Sequence, residues 1–171
     1  LKQVKFPPEI TKEGFPSAAL REINVLRTLS HPNILSVKEM VVGDSPQAVF
    51  MVMEHMEMDL RDACENLTEP LTQGELKRIM LQVLSALEMM HSHNYFHRDL
   101  KTSNILVARS GKVTICDFGL TRTFDDPRRS DYTPLVITLF YRPPELLMGT
   151  TTYGPEVDIW SVGCIFAELI T

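Results

Sequence analysis

The amino-acid sequence predicts an α+β fold, in which antiparallel strands and helices occupy separate stretches of the chain. Apolar residues recur at helical spacing in two stretches, 16–29 and 72–87. Short β-branched runs come in neighbouring pairs joined by turn residues, which is typical of antiparallel hairpins. The chain has 171 residues, of which 44% are hydrophobic and 23% charged. This composition is that of a globular protein, and the length suffices for one ordinary domain or part of a larger one.

The first strand and the first helix are predicted near the beginning of the chain. Residues 1–6 alternate apolar and polar side chains like a strand, and a Pro-Pro pair follows them. A helix opens at Pro16 and closes at the turn 31–33, because its leucines and isoleucine recur every three or four residues. Glu22 falls on the apolar stripe of this helix, where a carboxylate is costly unless a cation meets it. We therefore expect a cationic partner for Glu22.

Two strand-like runs, 34–42 and 48–53, follow and are joined by a turn. A long helix then begins with a capping box, in which Thr72 caps the helix and Glu75 reaches back to it. The predicted buried face of this helix consists of Leu76, Ile79, Met80, Val83, Leu84 and Leu87. A hairpin of two short strands, 105–108 and 112–116, comes next. The segment 119–134 has no capped apolar period and is predicted to be a loop.

Polar residues lie just before the first strand of that hairpin and just after its second strand. Asp99, Lys101 and Asn104 precede the first strand, and Asp117 follows the second. The hairpin therefore brings these residues to the same end. Magnesium binds through a few oxygens plus nucleotide phosphates, and Asn104 and Asp117 can supply such oxygens. Asp99 then accepts the proton of an attacking hydroxyl, and Lys101 neutralises charge on the transferring group. The pattern predicts phosphoryl transfer. A turn with a simple ion pair is disfavoured, because the DFG motif one hairpin later supplies the structural context.

Charge and cysteine content exclude other classes of protein. The formal net charge of -5 is spread without long runs of one sign, so no direct nucleic-acid binding is expected. Cys64, Cys116 and Cys164 are far apart, which indicates reduced thiols in an intracellular protein. The longest apolar stretch, 159–170, is interrupted by Glu168 and falls short of the ~20 residues of a membrane span. We expect no membrane association, and the opening residues do not look like a signal peptide.

Several motifs resemble those of eukaryotic protein kinases and, more finely, of cyclin-dependent kinases. HRDLKTSN at 97–104 resembles the catalytic loop, DFG at 117–119 the metal-binding start of the activation segment, and RPPE at 142–145 its end. GFPSAALREIN at 14–24 stands where cyclin-dependent kinases carry their PSTAIRE-type helix, and TLFYRPPELLMG and DIWSVGCIFAEL match them almost position by position. The resemblance is closest to the PITSLRE-type group. Phe140 replaces a usual Trp, and Thr121 and Pro143 each replace a usual Ala, but no catalytic group is lost.

The resemblance implies a bilobal protein-kinase fold. Residues 1–54 match part of the small lobe, with its antiparallel sheet and one helix, and residues 55–171 match part of the mainly helical large lobe. The chain is therefore expected to be truncated at both ends. Because the family's glycine-rich loop lies upstream of Lys2, the implied function belongs to the whole kinase, and this piece alone is expected to be inactive.

The resemblance also implies ATP and Mg²⁺ as cofactors. Lys2 matches the family's nucleotide lysine and Glu22 its partner, which supplies the cation that the helix requires. Met53 matches the residue that guards the back pocket, although a Met at a strand end is also ordinary core. The hinge and the rim of the nucleotide pocket are matched by Glu54, His55, Met56 and Asp59. Cys116, next to Asp117, is expected to be passive rather than reactive.

Regulation is implied for the predicted loop. Thr133 matches the position at which related kinases are phosphorylated for activation, and the arginines that receive the phosphate are matched by Arg21, Arg98 and Arg122. A phosphate dianion on Thr133 would then bind all three arginines, which lie in three mobile parts of the chain. Without the phosphate, the guanidinium groups face one another without a counter-charge, and the loop is expected to be loose. The alternative is a loop threonine among unrelated surface arginines.

Substrate choice follows from two further matches. In proline-directed relatives, the residue matching Ile137 holds an unusual backbone conformation and turns its carbonyl toward the arginine matching Arg142. Such a conformation strains a β-branched residue and persists only when its surroundings enforce it. The backbone N–H of the substrate residue after the Ser or Thr then has no acceptor. Proline at that position has no backbone N–H and avoids this cost. Ser or Thr followed by Pro is the expected target.

The leading function is a serine/threonine kinase that transfers the ATP γ-phosphate to protein hydroxyls. Its implied partners are a cyclin-type regulatory subunit, protein substrates and an upstream activating kinase, in the nucleus or the cytoplasm. Without the cyclin, the Lys2–Glu22 pair is expected to stay open. One alternative is an inactive fragment or pseudokinase that acts as a partner-binding module. A small-molecule phosphotransferase is disfavoured, because TLFYRPPE looks like a peptide-binding segment.

Overall fold

The computed structural model describes residues 1–4, 15–45, 48–124 and 131–170. Within these ranges the strands are β1 (Lys2–Gln3), β2 (Val37–Val42), β3 (Val49–Met53), β4 (Met58–Asp59), β5 (Tyr95–Phe96), β6 (Ile105–Val107), β7 (Val113–Ile115) and β8 (Arg122–Thr123). The α-helices are α1 (Ser17–Thr28), α2 (Leu60–Glu65), α3 (Gln73–Ser92), α4 (Pro144–Leu147) and α5 (Glu156–Leu169). Short 3-10 turns cover Thr102–Asn104 and Leu139–Tyr141.

The first sheet is antiparallel, with the strand order β1-β3-β2. Lys2 lies opposite Met51 in this sheet, so the strand at the start of the chain fixes where the lysine points. The predicted strand at 1–6 is confirmed as β1 within residues 1–4, and its remaining residues and the Pro-Pro pair lie outside the described ranges. The helix predicted from Pro16 onward is α1, which buries Val25 and Leu26 together with Glu22.

Helix α3 begins at the predicted capping box. Thr72 Oγ1 accepts a hydrogen bond from the backbone N–H of Glu75 at 3.3 Å, and Glu75 Oε2 accepts one from the N–H of Thr72 at 2.9 Å. The fully buried residues of the helix are Val83, Ala86, Leu87 and Met90. The prediction for Leu84 is wrong, because this side chain is 42% exposed. Leu84 follows Val83 by about 100° around the helix and so lies on the flank of the buried stripe.

The hairpin predicted at 105–116 forms the second sheet, whose strand order is β4-β6-β7. Ile105 lies opposite Ile115, and Val107 lies opposite Val113. Both strands are packed in the main core, together with α3 and α5. The residues just before β6 and just after β7 therefore share one end of a rigid, buried hairpin.

The described part of the predicted loop at 119–134 contains a short strand. Residues 122–123 form β8, which pairs antiparallel with β5, and residues 125–130 lie outside the described ranges. A two-residue strand is too short to show periodicity, and its partner lies far away along the chain.

The predicted boundary between residues 54 and 55 falls between β3 and β4 and stays a prediction. Across the described ranges, no helix is long and apolar enough to span a membrane.

Candidate active site

Asp99 is held by hydrogen bonds at both of its carboxylate oxygens. Its Oδ1 accepts from the backbone N–H and the hydroxyl of Thr138, at 3.1 and 2.9 Å. Its Oδ2 lies 3.0 Å from Lys101 Nζ and accepts from Asn104 Nδ2 at 3.1 Å. Lys101 Nζ also donates to Thr138 Oγ1 at 3.1 Å. The structure thus brings the three predicted catalytic residues together and fixes the carboxylate in one orientation.

The predicted metal ligands lie at the common end of the β6–β7 hairpin. The backbone N–H of Cys116 donates to the carbonyl of Asn104 at 3.0 Å, which joins the two ends. Asn104 Nδ2 donates to the backbone and side chain of Asp99, so its amide oxygen is the atom left to act as a ligand. The Asp117 side chain is 52% exposed, and its backbone has a positive φ of 62°. Two oxygen donors are therefore presented on one edge of the hairpin.

This donor set fits magnesium bound together with a nucleotide. Within the described ranges, no group of three or more His, Cys, Asp or Glu side chains is placed to hold a metal by itself. Mg²⁺ is usually bound by one or two protein oxygens and completes its shell with phosphates and water. Asn104 and Asp117 are such a minimal pair.

Lys2 and Glu22 form an ion pair, with Nζ and Oε1 2.6 Å apart. Glu22 is only 6% exposed, so the cation predicted for its apolar stripe is present. Lys2 Nζ also lies 3.9 Å from Asp117 Oδ1. The pair is closed in this structure, and its dependence on a regulatory subunit stays a prediction. A buried carboxylate without a cation is costly, which favours the closed arrangement.

A cleft of about 420 Å³ lies between the first and second sheets, beside the predicted catalytic groups. The predicted residues in its lining are Lys2, Met53, Glu54, His55, Met56, Asn104, Cys116 and Asp117. Leu35 and Leu106 contribute apolar surface to the cleft, and this surface suits the flat ring of a ligand. Asp59 is not among the described residues that line the cleft. Its Oδ1 instead accepts from the N–H of Asp62 at 2.8 Å and caps α2.

Two side chains beside the cleft have roles other than direct ligand contact. Both carboxylate oxygens of Glu54 accept from Lys112 Nζ, at 2.8 and 2.7 Å, so its backbone rather than its side chain is left to face a ligand. Burial and the neighbouring charge of Asp117 raise the pKa of the Cys116 thiol to about 12. The thiol therefore stays protonated at neutral pH, in agreement with the passive role expected for it.

Asp158, on α5, was missed by sequence reasoning. It is 0% exposed, and its two oxygens accept from the backbone N–H groups of His97 and Arg98, at 2.8 and 2.9 Å. His91 Nε2 lies 3.0 Å from the same carboxylate. Arg98 has a positive φ of 69°, a conformation that costs energy in a residue other than glycine. Asp158 thus holds the backbone immediately before Asp99 in a strained conformation.

The backbone geometry expected at Ile137 is present. Its φ is 63°, and its carbonyl accepts from Arg142 Nε at 3.1 Å and from Nη2 at 2.9 Å. Its N–H donates to the carbonyl of Arg98 at 3.1 Å, so both backbone groups of Ile137 are occupied. Thr138, the next residue, contacts both Asp99 and Lys101. Sequence reasoning missed Thr138, whose only signal was its place beside Ile137.

Hydrogen bonds connect Arg98 to the backbone of Thr133 through Tyr153. Arg98 is 2% exposed and donates to the carbonyl of Leu120 and the hydroxyl of Tyr153, at 2.8 and 3.0 Å. The Tyr153 hydroxyl donates in turn to the carbonyl of Thr133 at 2.6 Å. Arg122 Nη1 donates to the carbonyl of Thr121 at 2.9 Å. Arg98 and Arg122 thus each donate to neutral oxygen acceptors in this region. The looseness of the unphosphorylated loop and a joint phosphate site with Arg21 stay predictions.

The fold and the site together define a class of protein. The family model described as protein kinase domain matches residues 1–171. In structure, the chain is similar to a protein in the crystal structure of the yeast RNA Pol II CTD kinase CTDK-1 complex, with a TM-score of 0.87 and 43% identity over 92% of this chain and 51% of that one. The chain belongs to the protein kinase family and has its α+β fold.

Curated relatives narrow the class to cyclin-dependent kinases. The chain is 51% identical over 170 residues to cyclin-dependent kinase G-2 of Oryza sativa subsp. indica, covering 99% of this chain and 24% of that protein. It is 46% identical over 171 residues to cyclin-dependent kinase 11B of Homo sapiens, covering 100% of this chain and 21% of that protein. The predicted resemblance to the PITSLRE-type group is confirmed. The chain spans about a quarter of the length of these relatives.

Proposed function

We propose that the whole protein is a cyclin-dependent serine/threonine kinase that transfers the γ-phosphate of ATP to protein hydroxyls. The observation that carries this proposal is the arrangement at Asp99, whose oxygens contact Lys101, Asn104 and Thr138 within 3.1 Å. These contacts orient the carboxylate that is proposed to accept the proton of the substrate hydroxyl. The cleft for a nucleotide opens beside it and contains Asp117 and Lys2.

Each residue has a distinct part in the proposed reaction. Asp99 orients the substrate hydroxyl and accepts its proton as the oxygen attacks phosphorus. Lys101, held beside Asp99, offsets negative charge on the transferring group. Asn104 and Asp117 bind the cation that neutralises the phosphates when ATP is present. Lys2, oriented by Glu22 and lying 3.9 Å from Asp117, would supply positive charge to the phosphates.

The remaining contacts to ATP follow from the lining of the cleft. The backbone of residues 54–56 binds the adenine edge, and Met53 limits the depth of the cleft. Asp59 caps α2, and a contact of its side chain with the nucleotide stays a prediction. The proposed partners are a cyclin-type regulatory subunit, protein substrates and an upstream activating kinase, and the proposed location is the nucleus or the cytoplasm.

The test of the proposal uses the full-length protein with its regulatory subunit. Mg²⁺-ATP should raise its thermal unfolding temperature, because a ligand stabilises the state that it binds. The same preparation should phosphorylate Ser or Thr peptides, and phosphate on tyrosine alone would contradict the assignment. An inactive partner-binding module, the second candidate, would bind the regulatory subunit without either response.

Peptides in which Ser or Thr is followed by Pro should be preferred substrates. The carbonyl of Ile137 is occupied by Arg142, so a substrate N–H at the next position would be buried without an acceptor. We expect kcat/KM to be roughly tenfold or more higher for Ser-Pro than for Ser-Ala peptides. Arg142→Ala should narrow this ratio by releasing the carbonyl, whereas Arg109→Ala, on the exposed turn of the hairpin, should not. Equal kcat/KM values for the two peptides with the unsubstituted kinase would rule out the preference.

Phosphorylation of Thr133 should activate the kinase. Thr133→Ala is expected to lower activity roughly tenfold or more, because a phosphate brings about two negative charges that arginines can bind. Adding Arg122→Ala should cost little more, since a phosphate and the arginine that binds it act as one unit. Activity of the single and double variants is measured after treatment with the activating kinase. Multiplicative losses would show that the two residues act independently.

A further inference from the structure

The guanidinium group of Arg98 is enclosed by aromatic side chains. Its carbon lies 5.6 Å from the ring centroid of Phe96 and 5.7 Å from that of Tyr132. Tyr153 packs against both rings, with centroids 6.0 Å from Phe96 and 5.3 Å from Tyr132. We call Phe96, Tyr132 and Tyr153 the aromatic box. A cation over ring faces is stabilised without any carboxylate, so the box holds Arg98 in a neutral setting.

Tyr153 connects this box to the residue that is the proposed phosphorylation site. Its hydroxyl accepts from Arg98 Nη1 at 3.0 Å and donates to the backbone carbonyl of Thr133 at 2.6 Å. The side chain is buried, and burial raises the pKa of the phenol, so the proton needed for the second bond is retained at neutral pH. The Thr133 side chain itself does not take part in this bridge and stays exposed.

Arg98 also holds the same segment four residues further on. The carbonyl of Arg98 accepts from the N–H of Ile137 at 3.1 Å, next to the strained peptide-binding turn. Residues 133–137 are therefore attached to Arg98 at both ends, at one end directly and at the other through Tyr153. Loss of the Tyr153 hydroxyl would release only the Thr133 end.

We propose that Tyr153 is a positioning residue that docks the segment 133–137 onto Arg98 before any phosphate is present, and so sets the basal activity of the kinase. The proposal rests on the proposed function, in which phosphorylated Thr133 binds arginines. Once that phosphate is in place, it supplies a second attachment to the arginines, and the hydroxyl matters less. Tyr153 thus maintains activity in the unphosphorylated kinase.

The test compares Tyr153→Phe with the unsubstituted full-length kinase in complex with its regulatory subunit. Each protein is prepared after phosphatase treatment and after phosphorylation at Thr133. We expect Tyr153→Phe to lower the unphosphorylated activity roughly tenfold and the phosphorylated activity less than about threefold, since two hydrogen bonds are lost but the ring packing is kept. The loss should appear as a higher KM for the peptide, with the KM for ATP unchanged. Tyr95→Phe, which removes a hydroxyl outside the box, is the control.

The outcomes separate the two proposals. Equal losses in the phosphorylated and unphosphorylated forms, or a drop in thermal unfolding temperature that accounts for the loss, would mean that Tyr153 is only structural. Unchanged basal activity in Tyr153→Phe would also overturn the inference. If instead the unsubstituted kinase gains no activity on phosphorylation, the regulatory part of the proposed function fails, and this is seen without any variant.

Discussion

Replacing Asp99 with Asn in the full-length kinase is expected to lower turnover roughly 100-fold or more while leaving the KM for ATP nearly unchanged. The amide keeps the shape of the side chain and can still accept from Thr138, which is within 3.1 Å of Oδ1. It cannot accept the proton of the substrate hydroxyl, and it loses the charge that pairs with Lys101. The nucleotide cleft is formed by other residues, so ATP binding should persist.

Steady-state kinetics with a Ser-Pro peptide, together with nucleotide-dependent thermal stabilisation, measure this effect. Asp44→Asn, in the exposed turn between β2 and β3, is the matched control and should behave like the unsubstituted kinase. Near-normal turnover of Asp99→Asn would exclude Asp99 as the base. A parallel loss of ATP-dependent stabilisation would instead indicate that the substitution disturbs the cleft.

Replacing Asp158 with Ala is expected to lower the free energy of unfolding by roughly 3 to 5 kcal/mol. The substitution leaves the backbone N–H groups of His97 and Arg98 buried without their acceptor. It also removes the partner of His91 and the contact that holds the positive φ of Arg98. The catalytic loop should therefore relax, and activity should fall together with stability.

Chemical denaturation of the full-length kinase, followed by intrinsic fluorescence, measures the change. Asp158→Asn keeps one carbonyl oxygen as an acceptor and should lie between Asp158→Ala and the unsubstituted protein. Glu88→Ala, on the exposed face of α3, is expected to change stability by less than about 0.5 kcal/mol. A stability of Asp158→Ala within 1 kcal/mol of the unsubstituted protein would contradict the anchoring role.

The parts of the fold that depend on residues close together in the sequence could be predicted. The capping box at Thr72 and Glu75 involves residues three positions apart, so its two hydrogen bonds were readable in the sequence. The hairpin of β6 and β7 was readable because a turn joins two β-branched runs. The polar residues at its ends could then be placed together without any structure. Most of the candidate site follows from this hairpin.

Contacts between distant residues could not be predicted in the same way. The pairing of β5 with β8 joins segments that carry no periodic signal of their own. The argument used for Glu22 applies to Asp158 as well. Asp158 is also a carboxylate in an apolar helix and therefore needs a partner. Its partners, however, are two backbone N–H groups about 60 residues away, and local sequence patterns identify backbone donors only among neighbouring residues. The neutral partners of Arg98 were missed for the same reason.

The β6–β7 hairpin sets the spacing of the two proposed metal ligands through its pairing register. Asn104 directly precedes β6 and Asp117 follows β7, and the ladder between them pairs Ile105 with Ile115. The number of residues in the turn at the far end has no influence on this spacing. A slip of one residue along the ladder, by contrast, would turn one ligand to the opposite face. During evolution the turn is thus free to lengthen or change in composition, while selection for catalysis acts on the strand pairing.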